Sequence, residues 1–267
     1  MSAAWQPIAV YTARRRRSAP LAWGGGLGAL AAVVIAVFPS LRGNAQLDQL
    51  LDSYPEALKE AFGITEGWFS SVESYLAGEM FNLIAPLACC FFAIHAVSAA
   101  VGGTESRPVL EALLTAPITR RHYLAGVLVG VLAVLAGILL VLAVVMQLTS
   151  WVFGAGLAVG STVAAIVTLW ALAAFAGGAA AFLTGVSDRS VIVNGGAFGF
   201  MVAAYFAEVL GGLSDTVGAV DWLSPFHYYG TAITDGVDVA ACAGLIAAGA
   251  IAAAAGCTLF ERRDVTR

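Results

Sequence analysis

Charge is scarce in this chain. Of its 267 residues only 11% are Asp, Glu, Lys or Arg and 60% are hydrophobic, with a mean hydropathy of +0.87. A soluble domain carries roughly 25% charged residues, so there is too little polar surface here to coat a soluble globule. A disordered chain, a secreted disulfide scaffold and a nucleic-acid binder are excluded as well. Lysine is scarcer still: Lys59 stands alone against twelve arginines. A phosphate-binding P-loop needs G-x-x-x-x-G-K-[ST], with the lysine on the phosphates. Lys59 sits in Ala57-Leu58-Lys59-Glu60 with no glycine before it, so the chain contains no such ATP site. The four cysteines, Cys89, Cys90, Cys242 and Cys257, lie inside apolar runs. Their spacing suits neither a zinc site nor a disulfide framework, and they read as small core hydrophobes.

What is present in abundance is apolar runs of about 20 residues, each long enough to cross a hydrocarbon core of about 30 Å. Six spans can be drawn, at about 18–41, 79–102, 122–150, 156–185, 190–212 and 237–260. The expected fold is therefore all-α and integral to the membrane, a single transmembrane domain over 1–267. The basic residues orient it. With the N-terminus inside, the cytoplasmic segments hold Arg14, Arg15, Arg16, Arg17, Arg107, Arg120, Arg121, Arg189, Arg262, Arg263 and Arg267, and the outer segments hold only Arg42 and Lys59. The positive-inside rule then places both termini in the cytoplasm. The Arg14–Arg17 run before the first span reads as a basic anchor on a retained helix rather than a cleaved signal. Gly24-Gly25-Gly26-Leu27-Gly28-Ala29 fits G-x-G-x-x-A, but no strand precedes it, so it is not read as a dinucleotide site.

Three segments between spans carry their own patterns. In the outer segment 43–78, Leu47, Leu50, Leu51, Tyr54, Leu58 and Phe62 recur at spacings of three and four, with Asp48, Asp52, Glu56 and Glu60 on other faces. This predicts one or two amphipathic helices, either on the outer membrane surface or packed over the spans. The cytoplasmic segment 102–121 reads GGTESRPVLEALLTAPITRR. Pro108 suits a helix start and Pro117 its end, and Val109, Leu110, Leu113 and Leu114 share one face. That pattern fits a helix docking on a partner, or one lying on the bilayer. The outer segment 211–236 holds Asp221-Trp222-Leu223-Ser224-Pro225-Phe226-His227-Tyr228-Tyr229, an aromatic belt that suits either an ordered loop or a short excursion before the last span.

The stretch from Glu105 to Arg120 resembles the cytoplasmic segment of type-2 ABC exporter permeases, roughly E-x-R-G-T-L-E-x-L-L-x-x-P-[IV]-[ST]-R. Tyr54-Pro55-Glu56-Ala57-Leu58 and Phe260-Glu261-Arg262-Arg263-Asp264 are similar to further pieces of that family. Pro108 and Val109 stand where the family usually has glycine and threonine. The resemblance implies a transmembrane subunit without catalytic residues, metal or cofactor of its own. Two copies, identical or related, would form the pathway, and separate ATP-binding cassette subunits would hold ATP and Mg²⁺. It also implies that Pro108–Ala116 is the coupling helix. Leu110, Leu113 and Leu114 would sit in the ATPase groove, bounded by Arg107 and Pro117 and oriented by Glu105, Glu111, Arg120 and Arg121.

Within the spans, Glu208 is the acidic residue that stands out, toward the outer end of the fifth. A charged carboxylate at the bilayer centre costs at least about 2.5–3.5 kcal/mol. A substrate contact, a gate contact and snorkelling to the interface all suit it. With Met201, Tyr205 and Phe206 it forms the expected pathway lining. The three histidines fall at different depths, and no H-E-x-x-H is present for an intramembrane zinc protease. An ion-driven secondary transporter would predict internal repeats and several midplane charges. No clear repeat is seen. The reading is thus a multi-pass permease of a prokaryotic plasma membrane exporting an amphiphilic drug, antibiotic or lipid. The alternatives are a secondary transporter or a membrane scaffold.

Overall fold

A computed structural model describes residues 5–42, 68–102, 119–211 and 221–262. Most of the outer amphipathic segment and the docking segment, from Glu105 through Pro117, lie outside those residues. The described residues are helical, with no strand among them. In chain order the helices are α1 (Gln6–Arg15), α2 (Pro20–Leu41), α3 (Val72–Phe81), α4 (Ile84–Gly102), α5 (Arg120–Phe153), α6 (Val159–Val186), α7 (Ser190–Gly211), α8 (Ala232–Asp235) and α9 (Val239–Arg262). Five of them are single helices long and apolar enough to span a bilayer, and α3 with α4 makes a sixth candidate bent by 45°.

Both helix breaks lie two to four residues before a proline. Pro86 has no N–H for the carbonyl of Asn82, four residues back, and its ring crowds that carbonyl. The chain bends at Asn82 and Leu83. Pro20 does the same to Arg16, and the helix is interrupted at Arg16–Ser18 before resuming with a π-helical turn over Pro20–Gly24. The arginine run therefore ends a separate amphipathic helix, α1, whose Ile8, Ala9 and Thr12 are buried. The expected first span began only at about Ser18.

The longest helix, α5, has 34 residues and is about 51 Å long at 1.5 Å per residue. Thr119 caps its start, accepting from the His122 amide at 3.4 Å. Its end is set by Gly154 at φ 62°, the left-handed position that closes a helix without a Cβ clash. Small residues let the others lie against it. Gly126 and Gly130 meet α1 at the backbone of Trp5 and Ala9, and Gly24 and Gly28 of α2 meet Val141 and Val145. The closest pairing is α6 with α9. A methyl group added at Gly178 or Gly256 would collide with the backbone at Gly249 or Ala181. Without a hydrophobic driving force between helices in lipid, such backbone approach is a main source of association.

Several internal polar groups donate to nearby carbonyls, as hydrocarbon requires. Thr168 and Thr184 donate back to Ala164 and Ala180 at 2.9 and 2.8 Å, and the Trp170 indole donates to the Leu132 carbonyl at 3.2 Å. The charges separate to the two ends of the bundle. One end carries Arg14 to Arg17, Arg120, Arg121, Arg189 and Arg262 with Asp188 and Glu261. There, Arg16 donates to the Ala96 carbonyl, the Tyr123 hydroxyl to the Ala100 carbonyl at 2.6 Å, and Ser98 to the Ser190 carbonyl. The opposite end carries Glu73, Glu79, Glu208, Asp221, Asp235 and Asp238, with Arg42 as its described cation.

Candidate functional site

A cavity of about 630 Å³ opens at the acidic end, between α3, the bend at Asn82, the last two turns of α7 and the segment leading through α8. That segment is held on by two clips. Ser224 accepts from the Phe226 amide at 3.1 Å and donates to the Ala204 carbonyl of α7 at 3.1 Å. Tyr229 donates its hydroxyl to the Phe81 carbonyl at 3.1 Å, where the proline-broken span leaves its helical path. Burial pushes the Tyr229 phenol well above its ordinary value, with the Cys89 and Cys90 thiols adding to the shift, so it remains a donor. Gly230 follows at φ 56°, a left-handed turn that carries the chain into α8.

The wall is mostly apolar and aromatic. Phe226 meets Tyr205 edge-on at 5.5 Å, and Phe81 and Tyr229 stand beside them. Two carboxylates enter this surface, Glu208 from α7 and Asp235 from the end of α8. His227 Nδ1 lies 3.4 Å from Glu208 Oε1, with the histidine 51% exposed and the glutamate 31%. Asp235 accepts from the hydroxyls of Thr231 and Thr234. Glu73, next to the cavity residue Ser74, reaches away from it. Its Oε1 accepts from the Ala158 amide at 3.0 Å and caps the start of α6.

The four residues expected along the pathway are divided by this geometry. Tyr205 and Glu208 line the cavity. Met201, one turn deeper, is fully buried in the core, and Phe206 is 55% exposed on the outside of the bundle. Phe206 follows Tyr205 by one residue and so points about 100° away around the helix. Arg120 and Arg121 stand at the start of α5 on the arginine-bearing end. Sequence reading did not find Asn82, Tyr229 and Asp235 as lining residues. Pro86, four residues past Asn82, was the signal for the bend that brings the first two together.

A helical bundle with apolar flanks, charges confined to its two ends and a lined cavity at one of them is a multi-pass protein of the plasma membrane. Residues 6–261 match the family described as multidrug efflux system permease Rv1217c, C-terminal domain. The chain belongs to that family, and its role is that of a permease. No curated protein matches the chain at a significant level.

Proposed function

We propose that the chain is the transmembrane subunit of an ATP-driven exporter of the type-2 ABC class, with its arginine end in the cytoplasm. The observation that carries this reading beyond the family match is where the 103–118 segment leaves and rejoins the bundle. The end of α4 and the start of α5 meet at the arginine end, through the Tyr123 bond to Ala100. A helix of the expected Pro108–Ala116 pattern would thus hang below the membrane beside Arg120 and Arg121, where a soluble ATPase can reach it. ATP and Mg²⁺ bind that partner, and closure of an ATPase pair pushes on Leu110, Leu113 and Leu114. Two permease copies enclose the pathway. An amphiphilic substrate leaves it past Tyr205 and Glu208 at the far end.

The test is purification of the tagged chain in mild detergent with its genomic neighbours co-expressed. An ATPase subunit is expected in equal ratio, and the paired change Leu113→Asp with Leu114→Asp should remove it, since charged residues cannot enter an apolar groove unpaired. A chain that retains the ATPase after that change does not couple through this helix. One that purifies alone while folded is not an ABC subunit.

A further inference from the structure

We propose that the seam between α4 and α7 binds an aromatic amphiphile carrying a hydrogen-bond donor, its polar group on His95 and Asn194 and its rings against Phe91 and Phe198. Calling that ligand a substrate rests on the export reading; the site itself stands or fails on its own measurement. α4 and α7 run antiparallel, and two contacts fix their register. Ser98 donates to the Ser190 carbonyl at 3.3 Å, and Phe91 meets Phe198 edge-on at 5.3 Å. His95 lies between Phe91 and Ser98 on α4, and Asn194 between Ser190 and Phe198 on α7, so the two polar side chains stand at one level. They also share faces with the ring pair. His95 is one turn from Phe91 and stacks on it at 5.8 Å with the planes 4° apart, and Asn194 is one turn from Phe198.

Neither polar group suits lipid or plain packing. His95 is exposed on the open stripe of α4 together with Phe91. Hydrocarbon would leave both of its ring nitrogens unmet, and an ionisable side chain inside a span marks a pathway or a ligand. Asn194 is half-buried, and its Oδ1 is sealed from solvent with no donor among the described residues. Buried polar atoms almost always find a partner, so this acceptor calls for one that the bundle does not supply. A turn of the amide about its soft terminal torsion offers the oxygen to the open side. A ligand N–H or O–H then pairs with the amide oxygen or the imidazole. The rest of the wall takes an aromatic body. Trp23 of α2 flanks Phe91 and Phe92 at 6.2 and 5.7 Å, and a Cβ added at Gly195 or Gly199 would meet nothing, which leaves room beside Asn194 and Phe198. The seam lies toward the arginine end, where Arg16 donates to the Ala96 carbonyl beside His95. Under the export reading the substrate enters here and leaves by the acidic-end cavity.

The experiment uses the full chain in lipid nanodiscs and radiolabelled N-phenylnaphthylamine, an aromatic amphiphile with a single N–H. Binding is read by equilibrium dialysis, with empty nanodiscs subtracted for partition into lipid. Saturable binding is expected, and the N-methyl derivative, which has lost the donor, should compete roughly fivefold less well. His95→Phe and Asn194→Leu keep the shape of the wall and remove its polar atoms. Together they should bring the two ligands to equal affinity, while His95→Gln, which still forms hydrogen bonds, keeps them apart. A merely structural role would change both affinities alike and leave their ratio as it was. The exposed His95→Phe change, which should narrow the ratio, tests the site by itself if Asn194→Leu does not yield folded protein. An unchanged ratio in the folded variant overturns the proposal, as does equal competition by the N-methyl derivative in the native chain or the absence of saturable binding. Donor-dependent binding without ATP-dependent transport would sink the export reading alone. ATP-dependent transport with binding blind to the donor would sink this one.

Discussion

The two ends of the bundle solve the same problem with different materials. At the arginine end, connections within the described residues are short or helical, and polar tethers run to carbonyls near helix termini: Arg16 to Ala96, Tyr123 to Ala100, Ser98 to Ser190. At the acidic end the segment from 221 to 235 is folded back on α7 and on the break between α3 and α4, and its tethers reach carbonyls inside the bundle. The first arrangement presents cations outward. The second encloses space and presents carboxylates to it. A segment clipped at two points over a bent helix is what keeps the cavity from being filled by straight helices packing to their ends.

The largest effect expected from breaking this contrast is on orientation. Reversing Arg14, Arg15, Arg16 and Arg17 to Glu removes half of the described arginines at that end and makes the two ends alike in sign. Thr234→Cys, at an exposed site of the acidic end, reports the outcome. The four native cysteines are buried and give little background. A membrane-impermeant maleimide on intact cells should label Thr234→Cys, and labelling should drop roughly tenfold after the reversal if arginine placement sets the topology. Unchanged labelling would mean that the asymmetry does not orient the chain.

Next come two tyrosines in the same role at opposite ends. Tyr229→Phe leaves the Phe81 carbonyl without its donor at a buried bend, and the cost is about 2 kcal/mol. Tyr123→Phe removes a bond of 2.6 Å to Ala100, but Ala100 lies in the last turn of α4, where water can substitute; the cost is about 1 kcal/mol. Thermal unfolding in detergent should rank them in that order. The opposite ranking would show that the arginine end is the better-sealed one.

The contrast between the ends also divides what could be read from the sequence. Apolar length alone located the later spans to within about three residues, because any helix crossing a bilayer must satisfy the same thickness. The expected 156–185 is Val159–Val186, and 122–150 is Arg120–Phe153. Arginine placement likewise shows up as one charged end. What eluded one-dimensional reading was irregular backbone. Pro20 and Pro86 announced both breaks, yet hydropathy averages over them. Glycine pairs at spacing four recur in the sequence without sharing one role: Gly24/Gly28 and Gly126/Gly130 are contact points, while Gly156/Gly160 and Gly195/Gly199 face open space. The tightest contact, Gly178 with Gly249, joins helices 71 positions apart and has no local signature. Glu208 and Tyr205 were visible because a polar group in an apolar run is conspicuous. Asp235 sits among polar neighbours, and only the fold gives it a cavity to face.

The smallest effect separates two ways of starting a helix. Thr119 caps α5 from three residues away, a local device that depends only on its own turn. Glu73 caps α6 from 85 residues away, so its carboxylate satisfies the Ala158 amide, lies at the positive end of the α6 dipole and ties α3 to the α5–α6 turn in one contact. Thr119→Ala should cost about 1 kcal/mol, the ordinary value of an N-cap, and leave the far end unaffected. Glu73→Gln keeps an acceptor oxygen and loses only the charge–dipole part, about 0.5 kcal/mol. Glu73→Ala loses cap and tie together, so its cost should exceed that of Thr119→Ala while the excess appears at the acidic end. The local readout is amide exchange at the start of α6 and along α3. Faster exchange at α3 in Glu73→Ala but not in Glu73→Gln would show that the hydrogen bond, rather than the charge, holds the bent span in place beside the cavity. Equal exchange in both variants would assign that work to the packing of Leu76 and Met80 in the core.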